Sequence, residues 1–272
     1  MEFENSNKLK GYLNNESKRL NIHCNYAYTY YFLRSFLERL LKNNQETFVL
    51  KGSTSQLAST HNFIRPITDL DIISYLDLQD SAEVIQTTIT HSDDIKFSLK
   101  EKFITTNDTA NFRILCNFGA IEHLIKIDLK KETPFTNVNG NLPIIFSKDK
   151  QLPVRTITIE QHIANKIYII LKNMNLYIED NKAIRRFKDF YDLHFLLQSD
   201  KYDNQLVNEL LEKNMKKYGN LKYGSNILNK FNENFIKENN DTYLAHKKQF
   251  GFQDISLETL IDSSKGEILR RF

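Results

Sequence analysis

Two aspartates separated by one residue, Asp69 and Asp71, lie in the run Phe63-Ile-Arg-Pro-Ile-Thr-Asp-Leu-Asp-Ile-Ile73. Successive side chains of a strand point to opposite faces, so both carboxylates share one face while Leu70 and Ile72 turn into the core. Carboxylates held side by side repel each other, and a divalent cation between them relieves that repulsion. Upstream, Phe48-Val-Leu-Lys-Gly-Ser-Thr54 reads as a buried strand followed by a glycine turn. The backbone amides of Gly52 and Ser53 there can meet a phosphate oxygen. A third carboxylate, Asp128, falls on the solvent face of a later strand, in a row with Lys126 and Lys130. Three such carboxylates suit two magnesium ions, one holding a triphosphate and one activating an attacking hydroxyl. The chemistry this suggests is transfer from a nucleoside triphosphate. An Asp-x-Asp alone also occurs on solvated strands and turns.

Further charged residues carry less information by themselves. Glu160 and Lys166 are six positions apart on one helix and need not share a face, so both read as solvated charges. Asp189 and Asp192 are three apart, side by side on a helix whose other positions are Phe187, Phe190, Tyr191 and Leu193. Carboxylates on so apolar a helix need a ligand or a partner when buried. A structural ion pair with Arg185 or Arg186 would serve equally well. His61, His91, His123, His162 and His194 show no metal-ligand spacing, which argues against zinc. There is no P-loop, no Gly-x-Gly-x-x-Gly and no Gly-x-Ser-x-Gly elbow, so Ser53 reads as a phosphate contact and not a nucleophile.

These residues need elements to hold them. Residues 9–43 look like a single helix, with Tyr30, Leu33, Phe36, Leu37, Leu40 and Leu41 forming one apolar stripe. The aromatic cluster of Tyr26, Tyr28, Tyr30, Tyr31 and Phe32 is expected to pack and not to stack on bases. A helix near Ser81–Thr90 with Ser81 as its cap follows the aspartates. Lys96–Thr105, Phe112–Phe118 and Ile121–Leu129 then alternate as antiparallel strands, with turns at Asn107-Asp108 and Phe118-Gly119. Pro134 to Pro153 suggests an irregular crossing with one short strand, Ile144–Phe146. Thr158-Ile-Glu-Gln161 fits a capping box opening a helical half. Helices are expected there over 182–198, 203–216, 226–237 and 257–272. The expected division is an α/β half, residues 1–153, and an all-helical half, residues 154–272.

Composition sets outer bounds. The chain has 272 residues, 40% of them hydrophobic and 26% charged, with a net charge of +3. That is ordinary for a globular protein and neither demands nor excludes a polyanionic partner. Two cysteines, Cys24 and Cys116, cannot make a disulfide framework, so a reducing cytoplasm is expected. The start, Met-Glu-Phe-Glu-Asn, is no signal peptide, and no apolar run approaches the roughly 18 residues of a membrane span.

Taken in order, four motifs spanning residues 48–193 resemble the AbiEii/AbiGii nucleotidyltransferase toxin family of the DNA-polymerase-β-like superfamily. They are Leu50-Lys-Gly-Ser53 with Arg65-Pro-Ile-Thr-Asp-Leu-Asp71; Lys126-Ile-Asp128; Ile157-Thr-Ile-Glu160 with Ala164-Asn-Lys166; and Arg186-Phe-Lys-Asp-Phe-Tyr-Asp-Leu193. The family often has Gly-Gly where this chain has Gly52-Ser53, and Gly-Ser is the usual superfamily form. The resemblance implies an α+β fold: a nucleotidyltransferase domain with a mixed or antiparallel sheet flanked by helices, then a helical bundle contributing Lys166 and Asp189 to the cleft. It implies that Gly52 and Ser53 contact the triphosphate and that Asp69, Asp71 and Asp128 bind one or two Mg2+ ions. Arg65 would hold phosphate or brace its loop. Lys166 would neutralise a phosphate of the leaving group, which reverses its reading as a solvated charge, and Asp189 would be the fourth motif's functional acid. Asp192 would be that acid or its structural neighbour. It further implies transfer of NMP from an NTP to an acceptor, tRNA favoured, by a toxin with a cognate antitoxin. Lys182, Arg185, Arg186 and Lys188 would meet RNA phosphates or form a solvated face. Transfer to a protein hydroxyl, or a non-catalytic NTP- or RNA-binding relative, are the other readings.

Overall fold

The computed structural model of the chain describes residues 3–90, 94–144, 147–180, 186–199, 202–219, 229–250 and 253–271. His91, Ile145, Phe146, Lys182, Arg185 and the helix start expected at Asn226 lie outside the described residues. The chain divides into two compact units, residues 1–157 and 158–272.

The first unit opens with two helices where the sequence predicts one, α1 (Ser6–Arg19) and α2 (Cys24–Leu41). The break falls at Asn21, whose φ of 52° is left-handed, a conformation asparagine tolerates better than most residues. The His23 side chain then accepts the amide of Asn25 and starts α2. Tyr30, Phe32, Leu33, Phe36, Leu37 and Leu40 are all buried, and the Tyr30 hydroxyl donates to the Pro143 carbonyl at 2.7 Å. Of the aromatic cluster, Tyr30, Tyr31 and Phe32 are therefore core, and Tyr28 packs against it.

Behind α2 lies a seven-stranded mixed sheet of β1 (Phe48–Leu50), β2 (Leu70–Ser74), β3 (Lys96–Thr106), β4 (Thr109–Phe118), β5 (Ile121–Lys131), β6 (Val138–Ile144) and β7 (Ser147–Thr156). Its order is β3-β4-β5-β2-β1-β7-β6. The β2–β5 and β1–β7 pairs are parallel and the other neighbours antiparallel. Leu70 and Ile72 of β2 join Ile125, Ile127 and Leu129 of β5 and Phe112 and Ile114 of β4 in the main core. On the opposite face Ile73 packs in a small separate cluster with Val49 and Ile157. Alternation thus turns Asp71 away from the main core, as its position in the strand requires.

Two local expectations fail for identifiable reasons. Residues 138–156 form a hairpin, β6–β7, not an irregular crossing. Pro143 lies on the edge strand, and Pro153 lies beyond the single β1 contact at Leu50–Thr156, so neither removes a needed ladder donor. The helix after β2, α4, runs from Leu78 to Thr90, following the glycine-started α3 (Gly52–Thr60) between β1 and β2. Ser81 is not its cap: the Ser81 amide already bonds the Asp77 carbonyl at 2.9 Å, and its hydroxyl ties α4 to Ser74 Oγ at 2.7 Å.

The second unit is helical, with α5 (Ile159–Asp180), α6 (Phe187–Leu197), α7 (Asn204–Tyr218), α8 (Glu233–Phe250) and α9 (Leu257–Leu269). Thr158 Oγ1 accepts the Gln161 amide at 3.3 Å, the N-cap bond expected from the sequence. Of the helix expected over 226–237, residues 229–230 are helical, and after a bend at 231–232 a helix runs from Glu233 to Phe250, where Asn232 accepts the Phe235 amide at 3.1 Å. Ile163, Ile167, Ile170 and Leu171 of α5 and Phe187, Phe190, Tyr191, Leu193 and Leu196 of α6 are all buried. Among the described residues no helix is long and apolar enough to cross a membrane. The fold is α+β, as the sequence implied.

Candidate active site

The glycine turn and the Asp-x-Asp strand meet at one point in the first unit. Gly52 begins α3 with φ of 65°, a left-handed conformation that costs any residue bearing a Cβ. A Cβ on Gly52 would stand 2.1 Å from Asp71 Oδ2. Glycine is therefore required twice over, for the turn and for the approach of the Asp71 carboxylate. The Lys51 amide donates to the Asp71 carbonyl at 3.0 Å, which fastens the turn to β2. Its Nζ lies 4.0 Å from Asp71 Oδ1. The N-cap residue, Lys51, makes no side-chain cap bond, and amides at a helix N-terminus favour an anion. Gly52→Ala is expected to cost about 1–2 kcal/mol for the left-handed residue alone. Thermal unfolding midpoints of the two proteins check this.

Ser53 is buried at 7% exposure, and its Oγ has no hydrogen-bond partner among the described residues. The same holds for Nε2 of Gln56, one turn along α3. Both residues line a cavity of about 10 Å³ together with Arg65. Arg65 is buried, and its Nη1 donates to the carbonyl of the next residue, Pro66, at 3.3 Å.

Asp71 lies directly opposite Asp128 in the parallel β2–β5 register. Residues paired across neighbouring strands share a face, so the two half-buried carboxylates stand side by side. Asp69, also half-buried, precedes β2, and its carbonyl accepts the Thr54 hydroxyl at 3.5 Å. Among the described residues no group of three or more His, Cys, Asp or Glu is gathered to hold a metal; what β2 and β5 provide is the Asp71–Asp128 pair. Two carboxylates, with oxygens of a bound triphosphate and water, are a donor set that suits Mg2+. The Gly52 approach, which leaves the Asp71 carboxylate against the phosphate turn, fits the same group. Sequence reasoning missed Asn111 of β4, whose Nδ2 donates to Asp128 Oδ1 at 2.5 Å.

The second unit holds a buried charge cluster. Lys166 Nζ of α5 donates to Asp189 Oδ1 at 2.7 Å and to Asp192 Oδ2 at 2.6 Å, both on α6. Arg186 Nε donates to Asp189 Oδ2 at 2.6 Å. Both carboxylates are fully buried and Lys166 nearly so, so its reading as a solvated charge is wrong. The ion pair weighed for Asp189 exists, with Arg186. Its principal ammonium partner, Lys166, was not foreseen, because helix periodicity says nothing about which helices meet. Burial alone would push the Asp189 carboxyl up, but Lys166 and Arg186 together hold it below the usual carboxylate range. Glu160 takes no part: its Oε1 accepts the Asp203 amide at the start of α7, at 3.1 Å.

His162, one turn before Lys166, is buried, and its pKa is pushed down to about 3 by burial, with Lys166 adding to the effect and Asp192 opposing it. Below the ordinary histidine range the unfolded chain therefore takes up a proton that the folded chain refuses. Stability from this group is complete above about pH 6.5 and falls by about 1.4 kcal/mol per pH unit as the pH drops toward the folded value. Urea unfolding of the wild type and His162→Gln between pH 4 and 7 should show a slope flatter by one proton in the variant.

Comparison with solved structures returns nucleotidyltransferases. MenT4, a nucleotidyltransferase toxin from Mycobacterium tuberculosis H37Rv, aligns with a TM-score of 0.62 at 14% identity, over 90% of this chain and 82% of that one. An H. pylori protein described as a candidate nucleotidyltransferase aligns with a TM-score of 0.50 at 17% identity, over 88% of this chain and 92% of that one. At these identities the likeness is one of fold. No curated protein sequence matches the chain. A family model described as "Nucleotidyl transferase AbiEii toxin, Type IV TA system" matches residues 35–263.

Proposed function

Since the chain belongs to the AbiEii nucleotidyl transferase toxin family, we propose that it transfers NMP from an NTP to a hydroxyl of an RNA acceptor, with tRNA favoured, in a Mg2+-dependent reaction. The observation that carries the reading is the placement of Asp71: in register with Asp128 and packed against Gly52 so closely that no Cβ fits between. A phosphate-accepting turn and a cation-binding pair are thereby one structure.

In this reading the acceptor oxygen attacks the α-phosphorus, forming the new P–O bond. The bond to the bridging oxygen breaks, pyrophosphate leaves with the electron pair, and the hydroxyl proton passes to water. When bound, Mg2+ would supply charge neutralisation on the triphosphate and ease deprotonation of the attacking hydroxyl. Asp71 and Asp128 would hold it, and Asp69 is proposed as a further oxygen donor. The turn at Gly52 and Ser53 positions the triphosphate, and Arg65 keeps the segment leading to Asp69 and Asp71 in place. Positioning and fixed charge supply most of the rate in such transfers. Lys166 and Asp189 complete the proposal, with the lysine exchanging a carboxylate for a leaving-group phosphate and Asp189 as the functional acid. A cognate antitoxin and a cytoplasmic setting belong to the same proposal.

The test is incubation of the purified protein with total RNA, Mg2+ and each labelled NTP in turn. A labelled RNA band is expected. Label on protein alone would overturn the RNA acceptor, and no label from any NTP would overturn transfer itself.

A further inference from the structure

The Asp71–Asp128 row does not stop at β5. Asp128 is paired with Asn111 of β4, and Asn111 with Phe103 of β3, so four neighbouring strands contribute to one row across the sheet. Within it Asn111 Nδ2 donates to Asp128 Oδ1 at 2.5 Å. The next residue outward is Thr105, whose Oγ1 lies 2.7 Å from Asn111 Oδ1. The direction of this chain follows from chemistry. An ionised carboxylate only accepts, so the amide must present its NH2 to Asp128 and its oxygen to Thr105, whose hydroxyl then donates. The order Thr105 to Asn111 to Asp128 is the arrangement in which both contacts join a donor to an acceptor.

The backbone is arranged to permit it. The β3–β4 register shifts between Ile104, paired with Ala110, and Thr106, paired with Thr109. Thr105 is the extra residue of that bulge. A bulge removes one residue from the ladder. Here the Thr105 hydroxyl meets the amide that holds Asp128. Alternation puts Thr105 on the face of Phe103 and Asn111, and the bulge takes it out of the ladder there without moving it from that face.

We propose that Asn111, oriented by Thr105, is a positioning residue of the reaction: it holds Asp128 Oδ1 so that the second carboxylate oxygen is left to meet the cation. The inference rests on the proposed function, and extends it by naming what sets the geometry of the carboxylate pair. Partners of metal ligands fix ligand orientation and typically change metal affinity about 10- to 100-fold when removed.

The experiment compares the wild type with Asn111→Ala, Thr105→Val and Asp71→Asn. For each, NMP transfer is followed against Mg2+ concentration, and Mn2+ binding in the presence of NTP is measured directly by electron paramagnetic resonance. Asn111→Ala should raise the Mg2+ midpoint and weaken Mn2+ binding about 10- to 100-fold, with transfer recovering at saturating Mg2+. Thr105→Val, at an exposed hydroxyl and no threat to folding, should shift both in the same direction by a smaller factor. Unchanged midpoints, or a rate reduced equally at every Mg2+ concentration, would overturn the inference. Should Asn111→Ala not fold, the Thr105→Val shift decides. Asp71→Asn separates the two levels: full transfer by that variant would overturn the proposed function, whereas its loss beside an unaltered Asn111→Ala would overturn the positioning role alone.

Discussion

Asp71→Asn is expected to reduce NMP transfer about a thousandfold or more while leaving the protein folded. The substitution keeps the shape of the side chain and the strand: the Asp71 carbonyl still accepts the Lys51 amide, and the residue still stands opposite Asp128. What is lost is one charge of the carboxylate pair. Metal-borne stabilisation of a transferring phosphoryl group amounts to several kcal/mol, and each 1.36 kcal/mol is a factor of ten in rate. The folding side is small. Asp71 is 27% exposed and its ion pair with Lys51 is long, at 4.0 Å, so removing it costs about 1 kcal/mol or less. Removing a repulsion from Asp128 offsets part of that. Single-turnover transfer rates and thermal unfolding of the same preparation are the measurements. A loss of rate below about tenfold with the fold intact would show that Asp71 does not touch the reaction.

Lys166→Ala is expected to cost the second unit about 3–5 kcal/mol, the range for removing one partner from a buried ion pair. Its ammonium serves two fully buried carboxylates, Asp189 Oδ1 at 2.7 Å and Asp192 Oδ2 at 2.6 Å. Arg186 Nε also serves Asp189, at 2.6 Å from Oδ2. For a unit of this size the midpoint should fall by roughly 10–20 °C. Adding Asp192→Asn should recover part of the stability, because one stranded charge becomes a neutral amide. Urea unfolding of the three proteins tests this, and a loss under about 1 kcal/mol would refute the energetic account. The result bears on function as well. Inactivity of a Lys166 variant counts as a lost phosphate contact only if the second unit is still folded when the assay is run.

How much of this could be read from residue order alone differs between the two units. In the first, period-two alternation placed Leu70 and Ile72 in the core and Asp71 opposite them, and the burial agrees. Alternation is a short-range property, so it survives without knowledge of the fold. Asn111 was within reach too. The tight turn pairs Phe118 with Ile121, and counting seven residues from each leads to Asn111 and Asp128. The omission came from reading that hairpin for its faces and not for its register. The β6–β7 hairpin was hidden because two prolines and a glycine argue against strands unless the edge position and the end of the β1 pairing are known. The split of the first long helix at Asn21 turned on one backbone conformation, which an Asn-rich sequence does not advertise. In the second unit the start of α5 was legible from its Thr158 cap, and α5 and α6 from their apolar stripes. Their pairing was not: periodicity shows that α5 and α6 each bury a face, but not that Lys166 meets Asp189 and Asp192 across them.

The sheet order also sets when a competent site can exist. β1 closes against β7 through Leu50 and Thr156, and β2 closes against β5 through Asp71 and Asp128. Both are parallel pairings across long intervening stretches, the kind of contact that forms slowly because loop closure precedes any gain. The β3–β4–β5 meander, joined by tight turns, can form by itself and early. β2 has nothing to dock against on that side until β5 is made. On a ribosome, then, the glycine turn and the first aspartates emerge well before the strand that completes them. The carboxylate pair exists only once a finished meander has docked onto β2, so slowing that step would delay activity without altering any residue that touches substrate.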